Sequence, residues 1–204
     1  MVVRFILASA SPRRKDLITQ LGIPVEILPS YADETSVQAD TPRQFAERAA
    51  ELKCREIASR PECQDAIVIG ADTIVCFGPD ECFPEAALLG KPSHPEQAVE
   101  MLRLLSGRTH TVITALAVSR PNGNSAPRIE TASEDSLVTF QCLTDKQIRV
   151  YVDSGEPLDK AGAYGAQGLA GQFIEHVEGN LDNVIGLPVE LLRRMLQESG
   201  GGGC

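Results

Sequence analysis

The stretch Val2-Val3-Arg4-Phe5-Ile6-Leu7-Ala8-Ser9-Ala10-Ser11-Pro12-Arg13-Arg14 decides how the chain reads. Val2–Ala8 is an apolar run of strand length and predicts a buried strand. Ser11-Pro12 then supplies an N-cap hydroxyl and a proline at the first helical position, so a helix opens there. It runs to about Leu21 and stops at Gly22. Two arginines in the first turn run against the helix dipole, which favours negative charge at that end. An anion bound there explains the pattern, since free N–H groups, the hydroxyls of Ser9 and Ser11 and the guanidinium forks of Arg13 and Arg14 would all serve it. A capped surface helix with solvated arginines fits the hexapeptide equally well.

Outward from this segment, strands and helices alternate. Val25–Leu28 reads as a second strand. Thr41-Pro42-Arg43-Gln44 reads as a capping box opening a helix to about Ser59. Ala66–Gly70 and Thr73–Phe77 read as strand on either side of Ala71-Asp72. Ser93-His94-Pro95-Glu96 reads as another capping box, opening a helix to Leu105. Thr111–Val118 and Ser136–Phe140 are strand-like, with a Pro- and Gly-containing surface loop at Pro121–Pro127 between them. Thr144 through Gln147 caps a helix that stops near Gly155. Ala161–Gly171 is glycine-rich and loop-like, and Pro188–Leu196 is a closing amphipathic helix. Early alternation with later clustering of strands predicts an α/β fold: a mixed twisted sheet with flanking helices.

At 204 residues the chain is long enough to bury a core without staples. The formal net charge of −9 and the lack of any long basic run exclude a general nucleic-acid binder. With 4% aromatic residues and no Trp, an aromatic base-stacking platform is excluded too. The six cysteines form no CxxC pair and no zinc-spaced cluster. No apolar run approaches the ~20 residues of a membrane span, and the N-terminal run is broken by Arg4. These features predict a reduced, cytoplasmic protein without membrane or nucleic-acid partners. The tail from Ser199 to Cys204 is flexible by composition.

Several residues carry chemical potential. Asp72 ends a buried apolar run, where a carboxylate needs a metal, a proton or a capping N–H; a turn aspartate is the plain reading. Asp33-Glu34 lies in a polar loop and matters only if the fold brings an acid to Asp72, where two carboxylates would hold a hard divalent ion. Lys53 falls on the otherwise apolar row Phe45–Ala49–Lys53, so it either snorkels to water or serves a polar site. Lys91 sits in Gly90-Lys91-Pro92, which is not a Walker A motif, because Pro92 stands where Ser or Thr is required. Gln167 lies between Ala166 and Gly168 in a glycine-rich loop that permits close backbone approach to a ligand.

In order along the chain stand SASPRR (9–14), DE (33–34), GADT (70–73), GKP (90–92), LSGRTH (105–110) and GEPLDKAGAYGAQG (155–168). Together they resemble the Maf family, the septum-formation-inhibitor-like proteins. The likeness spans nearly the whole chain, from Leu7-Ala8-Ser9 to Val184-Ile185-Gly186-Leu187-Pro188. It implies one Maf-like domain over residues 1–198, with the tail 199–204 appended, and two lobes around a central cleft, as in inosine triphosphatase-like folds. It also implies a homodimer and hydrolysis of nucleoside triphosphates between the α and β phosphorus. The resemblance makes Asp72 the proton acceptor and places Glu34 near the metal. Glu34 and Asp72 would hold Mg²⁺ or another divalent cation such as Mn²⁺. Arg13, Arg14, Lys53 and Lys91 would surround the phosphates, with Ser9 and Ser11 binding substrate beside them.

Arg13 after the Ser-Pro, Thr73 after the Gly-Ala-Asp, and Gln167 match the dTTP/UTP subgroup. A sister subgroup acting on 7-methyl-GTP carries Trp and Gln at the first two places. A pyrophosphatase for another or modified base, and a non-catalytic nucleotide-binding regulator of cell division, are the other readings. The chain departs from the family pattern in the longer excursion Gly78–Leu89 before GKP and in the glycine-rich tail.

Uracil and thymine present an N3–H donor beside the O4 acceptor, which the Gln167 amide meets with its carbonyl and NH₂. A flipped amide would meet cytosine, so its orientation must be fixed, with Thr73 and Arg13 the candidates to fix it. Mismatched partners leave polar groups unpaired at ~1–3 kcal/mol each. Gln167→Ala is therefore expected to lower kcat/KM for dTTP and UTP more than for CTP. An equal loss on all three nucleotides would mean that Gln167 supports the loop without reading the base.

Overall fold

The computed structural model describes residues 3–77, 87–122 and 126–197. The tail 199–204 and most of the excursion before Gly90, with Cys82 and Cys204, lie outside the described residues. In chain order the elements are β1 (Arg4–Leu7), α1 (Pro12–Ile18), β2 (Val25–Ile27), α2 (Pro42–Ala58), β3 (Ala66–Phe77), β4 (Ala87–Leu89), α3 (Pro95–Leu105), β5 (Thr109–Arg120), β6 (Arg128–Phe140), α4 (Asp145–Asp153), β7 (Ile174–Glu178), α5 (Leu181–Ile185) and α6 (Val189–Gln197). The strands join in the order β2-β1-β3-β5-β6-β7, with β4 also paired to β3. β1 is parallel to both β2 and β3, while β4 and β7 pair antiparallel, so the sheet is mixed as expected.

Local chemistry explains most boundaries. Ser11 caps α1, accepting from the Arg14 N–H, with Pro12 at the first position. Thr41 caps α2 through the Gln44 N–H, but the Gln44 side chain accepts from Asp40 and not from Thr41. The α3 cap stands one residue later than the sequence pattern placed it. His94 Nδ1 accepts from the Gln97 N–H, and Gln97 Oε1 accepts from Ser93 N. Pro95, at the first helical position, sets that frame. Thr144 and Gln147 form a full capping box on α4. β3 is one continuous strand through Ala71-Asp72, where the sequence suggested two pieces.

The chain forms two compact units, with β3, β5 and β6 each beginning in one and ending in the other. The first unit holds residues up to Asp72, 114–134 and those from Gly186 on. There α2 meets the first half of β3 at Ala50 and Cys54, and Ala46, Ala49 and Ala50 are all fully buried. The approach is closest at Gly70. A Cβ at that position would overlap the Ala50 carbonyl oxygen and lie 2.8 Å from the Cys54 Cβ. Cys54 itself donates its thiol to the Val68 carbonyl at 3.2 Å.

The second unit spans 73–113 and 135–185. Its core packs Phe77, Leu102, Leu105, Phe140, Tyr151 and Phe173. His110 is enclosed here, with its Nε2 2.7 Å from the Tyr164 hydroxyl and edge-on ring contacts to Phe140 and Tyr164. Burial drives its pKa down to about 3, so it packs as a neutral ring. Among the described residues, no helix is long and apolar enough to cross a membrane.

The closeness of α2 to β3 depends on the missing Cβ at Gly70. Gly70→Ala is expected to lower the unfolding free energy by about 1–3 kcal/mol, the range for overpacking a tight core. Denaturant titration measures it. An unchanged midpoint would mean that α2 shifts freely away from the strand.

Candidate active site

The first unit brings three of the sequence-predicted residues to one point. Lys53 Nζ lies 2.6 Å from Asp72 Oδ1 and 3.0 Å from Glu34 Oε1. Each partner has a structural origin. Asp72 projects from within β3 and is 6% exposed. Lys53 comes from α2, one turn beyond the buried Ala49. Glu34 opens a 3₁₀ turn capped by Asp33, whose side chain accepts from the Thr35 N–H at 3.0 Å. Lys53 therefore serves a polar site instead of snorkelling to water.

Burial pushes the Asp72 carboxyl above its ordinary range. The Lys53 ammonium and, more weakly, the Arg14 guanidinium pull it back, while Glu34 adds to the rise. A carboxylate so placed takes a proton more readily than a solvated one.

The SASPRR segment is built as a frame. Arg14 donates from Nε to the Gly186 carbonyl at 2.8 Å, and from Nη1 to the Ala71 carbonyl at 3.0 Å and to Ser9 Oγ at 3.3 Å. Ser9 Oγ also accepts from the Ser11 N–H at 3.2 Å. Arg14 thus ties the start of α1 to the residue preceding Asp72 and to the segment that opens α6. Burial lowers its pKa, with the Asp72 charge opposing. Arg13, its neighbour on α1, is half-buried.

The other sequence-predicted residues belong to the second unit. Thr73 follows Asp72 on β3 and is half-buried, while Lys91 and Gln167 are exposed. The Gly90 carbonyl, next to Lys91, accepts from the Gly162 N–H at 3.1 Å. Two residues that the sequence reading did not single out shape the loop bearing Gln167. Lys160 is buried and donates to the Glu156 carbonyl at 2.6 Å and to the exposed Asp159 carboxylate at 2.7 Å. The Glu156 carboxylate accepts from the Leu169 N–H at 3.1 Å. The glycines flanking Ala166-Gln167 were the available signal.

Two carboxylates converging on one point that a positive charge already occupies form a hard-oxygen donor pair that suits a small divalent cation. Such an ion takes one or two protein carboxylates and completes its shell with phosphate oxygens and water. Among the described residues, no cluster of three or more His, Cys, Asp or Glu offers a metal cage built from protein alone.

The sequence pattern described as Maf-like protein matches residues 4–199. The chain belongs to the Maf family. This Maf chain is 44% identical over 195 residues to a protein of Syntrophotalea carbinolica named dTTP/UTP pyrophosphatase, covering 93% of this chain and 84% of that one. A protein of the same name from Symbiobacterium thermophilum is 42% identical over 197 residues, covering 97% and 94%. Among solved structures, a HAM1 protein from Coxiella burnetii superposes with a TM-score of 0.50 at 13% identity, covering 97% of this chain and all of the other. That likeness is one of fold.

The geometry makes Lys53 the counter-charge that favours the ionised form of Asp72 in a buried place. Lys53→Met removes it, and breaking a buried pair costs about 3–5 kcal/mol. The Glu34 limb adds little, because that side chain is more than a third exposed. Without the ammonium, the folded-state pKa of Asp72 rises further above the unfolded value. The variant therefore loses stability relative to wild type as pH rises through that folded pKa, and recovers as pH falls below it. Urea titrations at several pH values check this. A stability difference that stays constant across pH would mean that Lys53 does not pair with an ionised Asp72.

Proposed function

We propose that this chain is a nucleoside triphosphate pyrophosphatase that hydrolyses dTTP and UTP to the monophosphate and pyrophosphate. The observation that carries the chemistry is the buried Asp72 carboxylate held beside Lys53 and Glu34. The substrate follows from the relatives named for dTTP and UTP and from Arg13, Thr73 and Gln167, which fit that subgroup. We read residues 1–198 as one Maf-like catalytic domain with 199–204 appended, working as a homodimer in the cytoplasm.

In this reading water attacks the α phosphorus, the bond from that phosphorus to the α–β bridging oxygen breaks, and pyrophosphate leaves with the bridging oxygen. Asp72 accepts the proton of the attacking water, a task for which its burial-raised pKa suits it. Lys53 holds Asp72 in place and offers positive charge toward the phosphates. Arg13 and Lys91 add charge for a polyanion that an acidic protein would otherwise repel. Arg14 holds the carbonyl of Ala71 and so the position from which Asp72 projects, with Ser9 and Ser11 lining the same helix start. Glu34 and Asp72 are the residues that would hold Mg²⁺, or Mn²⁺ in its place. When bound, such an ion neutralises charge that builds on the phosphate oxygens.

The test is direct product analysis. dTTP and UTP are expected to yield pyrophosphate and not orthophosphate, and saturating EDTA is expected to suppress the reaction. Asp72→Asn keeps the shape of the side chain and removes its charge. It is expected to lower turnover by at least about 10²–10⁴-fold, the usual contribution of a general base. Orthophosphate as the first product would move the cleavage site. Unchanged turnover in EDTA would remove the metal, and a folded Asn variant that keeps most of the wild-type rate would remove Asp72 from the mechanism.

A further inference from the structure

The turn that carries Gln167 is built against two charged side chains. The Gly168 N–H donates to the Gly165 carbonyl at 3.1 Å, which places Ala166 and Gln167 at the centre of a tight turn. Both end residues are glycine for a steric reason. A Cβ at Gly165 would lie 2.8 Å from the Cε of Lys160. A Cβ at Gly168 would fall inside the Glu156 carboxylate, 2.6 Å from its Cδ. The lysine stem and the glutamate head thus fill the space under the two ends of the turn.

Glu156 is itself fixed from three sides. Its Oε2 accepts from the Leu169 N–H at 3.1 Å, two residues beyond Gln167. Its Oε1 accepts from the Tyr151 hydroxyl at 3.2 Å. Its backbone carbonyl accepts from Lys160 Nζ at 2.6 Å. Burial, reinforced by the Glu156 charge, pushes the Tyr151 hydroxyl up, so it stays a donor across the physiological range. Glu156 fixes the backbone from which the Gln167 amide projects, through the Leu169 N–H two residues on.

We propose that Glu156 is a positioning residue for base choice: by clamping the turn at Gly168 and Leu169 it holds the Gln167 amide in the orientation that accepts uracil and thymine and refuses cytosine. The inference rests on the reading of Gln167 as the base-recognising residue. Glu156 touches neither base nor phosphate in this scheme, so its loss acts through KM for the matching nucleotides and leaves kcat in place.

The experiment measures kcat and KM for UTP, dTTP and CTP with the full chain, for wild type, Glu156→Ala, Glu156→Gln, Gln167→Ala and the double variant Glu156→Ala/Gln167→Ala. Glu156→Ala is expected to lower kcat/KM for UTP and dTTP roughly ten- to hundredfold, the size of one lost base hydrogen bond, with CTP little changed. Glu156→Gln keeps a carbonyl oxygen for the Leu169 N–H and is expected to retain the preference. In the Gln167→Ala background, Glu156→Ala is expected to add nothing. If Glu156→Ala does not fold, Gly168→Ala displaces the carboxylate by its Cβ and is expected to narrow the preference in the same way. Equal losses on all three nucleotides, additive losses in the double variant, or an unchanged preference in folded Gly168→Ala would overturn the role of Glu156 while Gln167→Ala still narrows the preference. If Gln167→Ala leaves the preference intact, the base-reading role of Gln167 fails first and the clamp falls with it.

Discussion

The contact between α2 and β3 at Gly70 is the constraint on which the candidate site depends. A helix sits this close to a strand only where the facing side chains are small, and here Gly70 faces Ala50 and Cys54. The spacing fixes what comes next along each element. Two residues beyond Gly70, Asp72 projects on the same side of the strand, because strand side chains alternate with a period of two. One turn beyond Ala49, Lys53 emerges on the same side of the helix, because i and i+4 share a face. The two charges meet at 2.6 Å as a consequence of the backbone approach. A bulkier residue at any of these small positions would separate them before affecting either charge directly.

The pairing also resolves an electrostatic difficulty. A chain of net charge −9 has no general attraction for a polyanion, and a buried aspartate beside a glutamate is costly alone. Lys53 offsets the cost by standing between the two acids, and the arrangement costs less conformational entropy because helix and turn already hold the partners. Arg14 contributes differently. Its donors go to the carbonyls of Ala71 and Gly186 and to Ser9, so its charge is tied into the scaffold behind Asp72. Of the arginine pair in the first turn of α1, Arg14 thus braces the framework, which accounts for one guanidinium group at the end of a helix whose dipole disfavours it.

The sequence was most legible where local chemistry acts alone. The opening strand and helix, the alanine-faced α2 and the capping box of α4 stand where hydroxyls, prolines and apolar periodicity put them. β3 was harder, because Asp72 interrupts an apolar run and mimics a turn. Only the neighbouring strand and the Lys53 counter-charge let a carboxylate stand within a strand. β7 escaped because Ile174-Glu175-His176-Val177-Glu178 is charged and half exposed, and its pairing with β6 comes from far along the chain. α5 is a five-residue helix, too short for periodicity to register. In the site, Asp72, Lys53 and Glu34 were each visible as residues, but their meeting is a tertiary fact. The acceptors of Arg14 were not visible at all, since the backbone carbonyls of Ala71 and Gly186 leave no mark in residue type.

Read by composition, the glycine-rich segment after α4 is a loop that permits close backbone approach. In the structure its glycines mark the places where something else already fills the space of a side chain. Gly162 has φ +65°, and a Cβ there would meet the Val75 side chain at 2.9–3.0 Å; its N–H is spent on the Gly90 carbonyl. Gly165 rests on Lys160 and Gly168 on Glu156, while a Cβ at Gly171 would lie 2.8 Å from the Ala166 carbonyl oxygen. Four glycines in ten residues thus record four close approaches, each removing freedom. The physical sense is pre-organisation. For the base-reading role proposed for Gln167 a mobile loop would be costly, because the ordering cost would then fall on binding. Glycine here lets the chain press against side chains and neighbouring backbone until only one path is left, and Gln167 stands at the centre of the turn that this path makes.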